Sequence, residues 1–373
     1  MTNYPLSPAE IEALGKELEA IRSKVLAKLG EEDANYIRSI FKTVRVTEAL
    51  GRGLLFLGWL PPAWLAGTAL LSISKIIDNM ELGHNVMHGQ FDWMNDKLLN
   101  TQFEWDNVCP GDEWRHSHNY MHHTFTNIID KDRDIGYGIA RMFPEQAWKP
   151  SHLGQPIYIL LLALLFEWGV ALHDLELDRV VEGKTKLSGI KGKAKSVFRK
   201  MRKQVLKDYV FFPLIAGPSF IPVLTGNLTA NVVRNVWAFA IIFCGHFTEN
   251  AHVFPESVLE NETRSQWYLR QLLGSCNIEG GPLFHILSGN LSHQIEHHLY
   301  PDIPANRYAE MAKEVKAVCK KYGLPYNTGS FSTQFSGMLS RVFKYALPIY
   351  AKESDRSEQP KSAEETIRLP VAA

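Results

Sequence analysis

The stretch Ser292–Leu299 reads SHQIEHHL, and Ser117–Thr124 reads SHNYMHHT. Both follow the pattern Ser-His-amide-x-x-His-His, although more than 160 residues separate them. A third group, GHNVMHG, carries His84 and His88. Ten of the 14 histidines fall within Gly83–His123 and His285–His298. Imidazoles packed this densely repel one another once protonated and add little to an apolar core. Building the cluster twice therefore points to a shared ligand for the rings.

On a helix, residues four apart lie on one face, so His84/His88, His118/His122 and His293/His297 can each present two imidazoles together. Adjacent residues diverge by about 100°, so the doublets His122–His123 and His297–His298 suit two neighbouring metal ions better than one. Eight imidazoles also exceed a tetrahedral zinc site. Imidazole suits iron, copper, zinc and nickel alike, and is mostly deprotonated at neutral pH. Asn119 and Gln294 hold equivalent places in the two copies, where an amide could orient a ligand or a bound water. Glu296, Asp130, Asp132 and Asp134 are candidates to accept a hydrogen bond from an imidazole N–H. The isolated His152, His173, His252 and His285 read as surface or hydrogen-bonding residues, and His116 as ambiguous. His246, at the end of the last apolar stretch, is left open by position alone.

The chain has 373 residues, with Lys plus Arg and Asp plus Glu balanced at 40 each, so no net field favours nucleic acid. Mean hydropathy is −0.15, low for a protein made only of membrane spans. Apolar stretches cover roughly 54–79, 155–172, 209–225 and 229–247. A bilayer core takes about 20 helical residues to cross. The first stretch, with Pro61 and Pro62, reads as the second arm of a hairpin entered near residue 45. The last two, separated by TGNLT, read as a second hairpin. The expected fold is all-α, with about four transmembrane helices and a cytoplasmic helical cap holding the histidines.

Stretch 155–172 is expected not to cross, because crossing would put the second and third histidine groups on opposite sides of the membrane. Glu167 within it also makes a full span costly. The segment Lys184–Lys207 carries ten Lys and Arg and no Asp or Glu, which assigns it to the cytoplasm. Along the chain, 1–44 reads as amphipathic N-terminal helices, with Ser7, Pro8 and Glu10 forming a capping box. Residues 45–350 form the main domain, and 351–373 a disordered polar tail. No signal peptide is expected. Four cysteines without a Cys-x-x-Cys pair argue against an iron–sulfur cluster, and no Gly-x-Gly-x-x-Gly loop or haem-binding motif suggests flavin, nucleotide or haem in this chain.

GHNVMHG, SHNYMHH and SHQIEHHLYPDIPANRY resemble the three histidine boxes of membrane-bound fatty acyl desaturases, over about Ala49 to Tyr326. QIEHH followed by Leu-Tyr-Pro resembles the front-end branch, while the surrounding GHNVMHGQFDWMND and FEWGVALHDLE are similar to actinobacterial acyl-CoA desaturases, including the stearoyl-CoA Δ9 type. The resemblance implies a non-haem di-iron centre held by His84, His88, His118, His122, His123, His246, His293, His297 and His298. It implies O₂ as co-substrate and a long-chain acyl substrate. It also implies a cytoplasmic-membrane location and electrons from a ferredoxin or rubredoxin with its NAD(P)H-dependent reductase. His293, spaced like His118, is favoured over Gln294 as the residue facing the metal. Three residues separate His118 from its doublet, where many relatives have two. Lys184–Lys207 could dock an acidic donor or coenzyme A phosphates, or simply touch anionic lipid. A front-end or phospholipid desaturase, a hydroxylase on the same scaffold, a metal transporter and a bis-histidine haem protein are the competing readings.

Overall fold

The computed structural model describes residues 6–177, 180, 183 and 186–348; the tail expected at 351–373 lies outside them, as do Lys184 and Thr185. Helix α1 (Pro8–Leu26) opens with the expected capping box, in which Ser7 accepts from the Glu10 N–H and Glu10 accepts from the Ser7 N–H. Its buried residues Ile11, Leu14, Leu18, Ile21 and Val25 follow helical spacing. That face packs into one core with Ile295, Leu299 and Tyr308, so α1 belongs to the body that holds the third histidine group. The following helix, α2 (Glu31–Leu55), runs unbroken through residue 44.

A turn over 56–60 leads into α3 (Pro61–Ile77), started by the two prolines as helix N-termini allow. The two helices approach to backbone contact. A Cβ on Gly51 would lie 2.8 Å from the Leu71 nitrogen and 3.0 Å from the Gly67 carbonyl oxygen. The first hairpin therefore forms as expected, with glycine at its crossing. From α3 the chain continues into a π-helix, Asp78–His84, that delivers the first histidine group. The second group rides on another π-helix, Arg115–His122.

The apolar stretch 155–172 is broken. Helices α4 (Gln155–Leu164) and α5 (Phe166–His173) meet at 104° around Leu165. Ten residues of α4 extend about 15 Å, half a hydrocarbon core. Its Ile157, Leu160 and Leu161 stay exposed at 50% or more, the disposition of an apolar face lying against lipid.

The second hairpin differs from the expectation. Helix α6 (Lys191–Val205) continues through a π-turn, Leu206–Phe211, and the short helix Phe212–Ile215, and the chain reverses at 216–219. Helix α7 (Phe220–His246) is then continuous, so TGNLT lies inside a helix and is not a turn. The reason is packing. Gly226 sits where a Cβ would strike Leu55, and the Asn227 amide donates to the Asp208 carbonyl. These residues serve a helix interface. The true turn uses Gly217, at φ +56°, and Pro218. Gly217–His246 is the one helix among the described residues long and apolar enough by itself to cross a bilayer, with the bent α4–α5 pair as a second candidate. The fold is mostly helical with a membrane-compatible α7.

Charged residues sit deep between the hairpins. Lys75 on α3 donates to Asp208 at 2.8 Å and Arg52 on α2 donates to the same carboxylate at 3.1 Å, with all three side chains 8% exposed or less. Arg234 on α7 pairs with Glu167 on α5, tying the bent helix to the bundle. Beyond α7, α8 (Arg264–Gly274), α9 (Gln294–Leu299), α10 (Tyr308–Lys321) and α11 (Phe331–Ala346) build the cap. A short parallel strand pair, Asn277–Glu279 with Thr328–Ser330, closes it.

The glycine crossing gives a stability test. Gly51→Val should destabilise the purified protein by about 1–3 kcal/mol through overpacking, read as a lowered melting temperature. Gly53→Val, at a position with open space around it, should cost a few tenths at most, in line with ordinary surface substitutions.

Candidate metal centre

The C-terminal ends of α3 and α7 both point at the same place, and the histidines converge there. His84, His88, His118 and His297 bring one ring nitrogen each within 4.8 Å of one another, and so do His122, His246 and His298. His123 joins His297 and His298 in a third such group and lies between the other two. The doublets divide as their angular separation requires: His297 faces the first group and His298 the second. The π-helix bearing the second box adds a residue to its turn, a feature enriched at functional sites. This is how a three-residue gap still aims His118, His122 and His123 at one space.

The ring nitrogens face each other. His84 Nε2 lies 3.3 Å from His118 Nε2, His122 Nε2 3.3 Å from His246 Nε2, and His298 Nε2 3.1 Å from His246 Nε2. The His88, His123 and His297 Nε2 atoms are buried with no hydrogen-bond partner. Unsatisfied buried nitrogens cost free energy unless something fills the space among them. Aimed lone pairs in two clusters fit cations, and the donor set suits late first-row metals.

The far side is held in four of the rings, those of His84, His122, His297 and His298. Both Asp132 carboxylate oxygens lie 3.1 Å from His122 Nδ1; Asn85 Oδ1 lies 2.9 Å from His84 Nδ1. Gln271 Oε1 and Thr126 Oγ1 each lie 3.2 Å from His298 Nδ1, and the Tyr308 hydroxyl 3.3 Å from His297 Nδ1. Such partners orient the rings and raise their basicity. Burial first, then mutual repulsion, holds His88, His118, His123, His297 and His298 well below the ordinary imidazole value. Burial opposes charge at His122 too, but the Asp132 and Asp134 carboxylates outweigh it and carry that ring up to about 9.

Not every expected residue arrives. His293 stacks on His285 at 4.5 Å and lies 3.9 Å from Glu296, turned away from the cluster. Gln294 takes its place, with Nε2 2.9 Å from His246 Nε2 and Oε1 unpartnered. His293 stands at the N-cap of α9 with φ −103° and ψ 54°, outside the helical phase that carries Gln294 and His297. Asn119 donates to the Met87 carbonyl and ties the second box to the first. Asp130 is exposed, and Glu296 is engaged by Asn277 and Tyr326. His173, read as a surface or hydrogen-bonding residue, lies 3.4 Å from Asp134, which itself faces His118 and His122. Gln271, Thr126 and Tyr308 carried no sequence signal, because nothing in their spacing marks them.

A cavity adjoins the cluster. Its walls mix apolar Met80, Phe166, Val170 and Ile242 with His118 and His246.

A family model described as fatty acid desaturase matches residues 58–330. Over 97% of this chain and 86% of its own length, the "NADPH-dependent stearoyl-CoA 9-desaturase" of Mycobacterium tuberculosis is 43% identical. The "sn-1 linoleoyl-lipid 6-desaturase" of a Synechocystis species is 27% identical over 73% of the chain and 77% of its own length. An "Acyl-lipid (7-3)-desaturase" of Rebecca salina is 30% identical over 63% of the chain and 53% of its own length.

Metal content separates the neighbouring residues of the third box. His246→Ala should lose one of two bound metals per chain and Asp132→Asn should weaken binding about 10–100-fold, whereas His293→Ala should keep both, as measured by elemental analysis. In chelator-stripped protein, the depressed histidines stabilise the fold above the unfolded value near 6.5, and that stability is lost as pH falls. His122 has the opposite sign, contributing below 6.5 and losing its contribution as pH rises through about 9. Five rings outweigh one, so the metal-free melting temperature should drop by roughly 5 °C between pH 7.5 and 5.5. A flat or rising profile would contradict this.

Proposed function

Because this chain belongs to the fatty acid desaturase family, we propose that its substrate is a long-chain acyl-CoA, stearoyl-CoA foremost, desaturated at Δ9. The observation that carries the reading is the convergence of histidines from three distant segments into two adjacent nitrogen clusters beside a partly apolar cavity. The 43% identity to a protein named for stearoyl-CoA and the 9-position supports the substrate and position.

The metals are two irons. His84, His88, His118 and His297 would hold one, and His122, His246 and His298 the other, with His123 between them and Gln294 beside the second. When bound, the iron pair supplies an O₂-derived oxidant strong enough to take hydrogen from an unactivated methylene, which no acid–base side chain can do. The protein's own contribution is placement. Phe166, Val170 and Ile242 offer an acyl chain an apolar wall, and the buried rings exclude water from the reacting carbons. Asp132, Asn85, Gln271 and Tyr308 fix ring orientation and tautomer.

Reduction of O₂ to two waters takes four electrons. Two leave with the substrate hydrogens, so two come from a separate donor, a ferredoxin or rubredoxin supplied by an NAD(P)H-dependent reductase. The NADPH dependence in the mycobacterial relative's name agrees with that division.

The protein spans the cytoplasmic membrane four times. Hairpin α2–α3 and the hairpin that the continuous helical run from Lys191 to Ile215 makes with α7 carry the spans, while α4 rests in the interface. Exposed Leu57, Trp59, Leu65, Leu214 and Ile221 near the hairpin turns support lipid contact there. Both α3 and α7 end at the histidines, so the site lies on one side. The basic face of α6 supports the cytoplasmic side.

Expression in a host lacking its own desaturase, fed stearate, tests the reading. We expect a new monoene with the double bond at carbon 9 by mass spectrometry. An added oxygen atom would indicate a hydroxylase, and a double bond nearer the carboxyl group a front-end enzyme.

A further inference from the structure

We infer that Tyr137 selects which pair of methylenes lies against the histidine cluster, and therefore where the double bond forms. The inference rests on the acyl-desaturation reading and adds the residue that measures position along the chain.

Tyr137 sits in the left-handed region at φ +52°, between Gly136 at +62° and Gly138 at +71°. Glycine adopts this backbone freely, and asparagine adopts it with modest cost; a tyrosine does so rarely. A turn with only a backbone role would be better served by either of those residues. The tyrosine is therefore kept for its ring, and backbone strain of this kind concentrates at functional sites.

The surroundings hold the strained turn from both sides. Upstream, Asp132 accepts from the Asn127 and Asp134 N–H groups while facing His122. Downstream, the Ile139 and Ala140 N–H groups donate to the Gly136 carbonyl, and Ala140 is buried in the core. The loop that orients His122 thus also aims the tyrosine ring.

The ring lines the cavity that reaches His118, His122 and His246. Its face lies on Phe243 at 5.7 Å and 12°, with Phe166 at 5.6 Å and His173 at 5.1 Å around it. Aromatic neighbours on three sides leave it little room to turn aside. The ring shares the cavity's lining with His118, His122 and His246, so an acyl chain in the cavity lies against both. Its bend there fixes the register of carbons against the reacting centre. The hydroxyl has no assigned part in this; the ring's bulk does.

The full-length protein, carrying its metals, is expressed as wild type, Tyr137→Phe, Tyr137→Gly and Tyr137→Asn in a host without desaturase. Positional isomers of the monoenes are quantified by mass spectrometry of their dimethyl disulfide adducts. An isomer ratio does not depend on how much enzyme is present. Glycine and asparagine suit the left-handed backbone, so these variants remove the ring without adding strain. We expect Tyr137→Phe to keep the wild-type ratio, and the glycine and asparagine variants to raise the share of neighbouring isomers at least tenfold. The wild-type ratio in both of those variants would overturn the inference. So would loss of all product in folded protein of wild-type metal content, or a shifted ratio in Tyr137→Phe. A wild-type chain that yields no monoene would instead overturn the desaturase reading itself.

Discussion

Eight imidazoles are brought into a small buried space with their nitrogens turned toward each other, and most cannot carry a proton there. Nitrogen lone pairs 3.1–3.3 Å apart repel unless a proton or a cation lies between them. Burial keeps five of the rings neutral, and acceptor oxygens of Asn85, Asp132 and Gln271 hold the N–H of His84, His122 and His298 at Nδ1, so that the Nε2 lone pairs face inward toward a cation. The rest of the architecture follows from delivering rings from three distant segments to that space and preventing their collapse. The carboxylate, amide and hydroxyl groups behind the rings resist rotation, and the cap formed with α1 covers them.

The membrane-facing half of the fold is shaped by the same demand. Two helices that end at the cluster, α3 and α7, must keep a fixed register. The Lys75–Asp208–Arg52 group and the Arg234–Glu167 pair link α2, α3, α5, α7 and the segment following α6. Buried ion pairs contribute little net stability against well-packed apolar residues, yet removing one partner is costly. Their value here is that a helix sliding by one turn would leave a charge unpaired.

Much of this was legible in the sequence because chemistry leaves periodic marks. The His84/His88 pair and the doublets His122–His123 and His297–His298 are brought together in the fold, and the capping box forms at Ser7. The second hairpin's turn was misplaced for an instructive reason. Polar TGNLT in an apolar run looks like a loop to water, yet Gly226 and Asn227 face neighbouring helices, where a small residue and an amide are needed. His293 misled for a different reason: equal spacing implies an equal face only if the backbone keeps one phase. Non-helical His293, at φ −103° and ψ 54°, stands outside it. Gln271, Thr126 and Tyr308 were invisible because their roles arise only once remote segments meet.

The account stands or falls on where the metals sit. Anomalous diffraction at the iron edge from crystals of the iron-loaded protein measures that directly. The prediction is two peaks per chain, one enclosed by His84, His88, His118 and His297 and the other by His122, His246 and His298. A single peak, or density beside His285 and His293 instead, would contradict it.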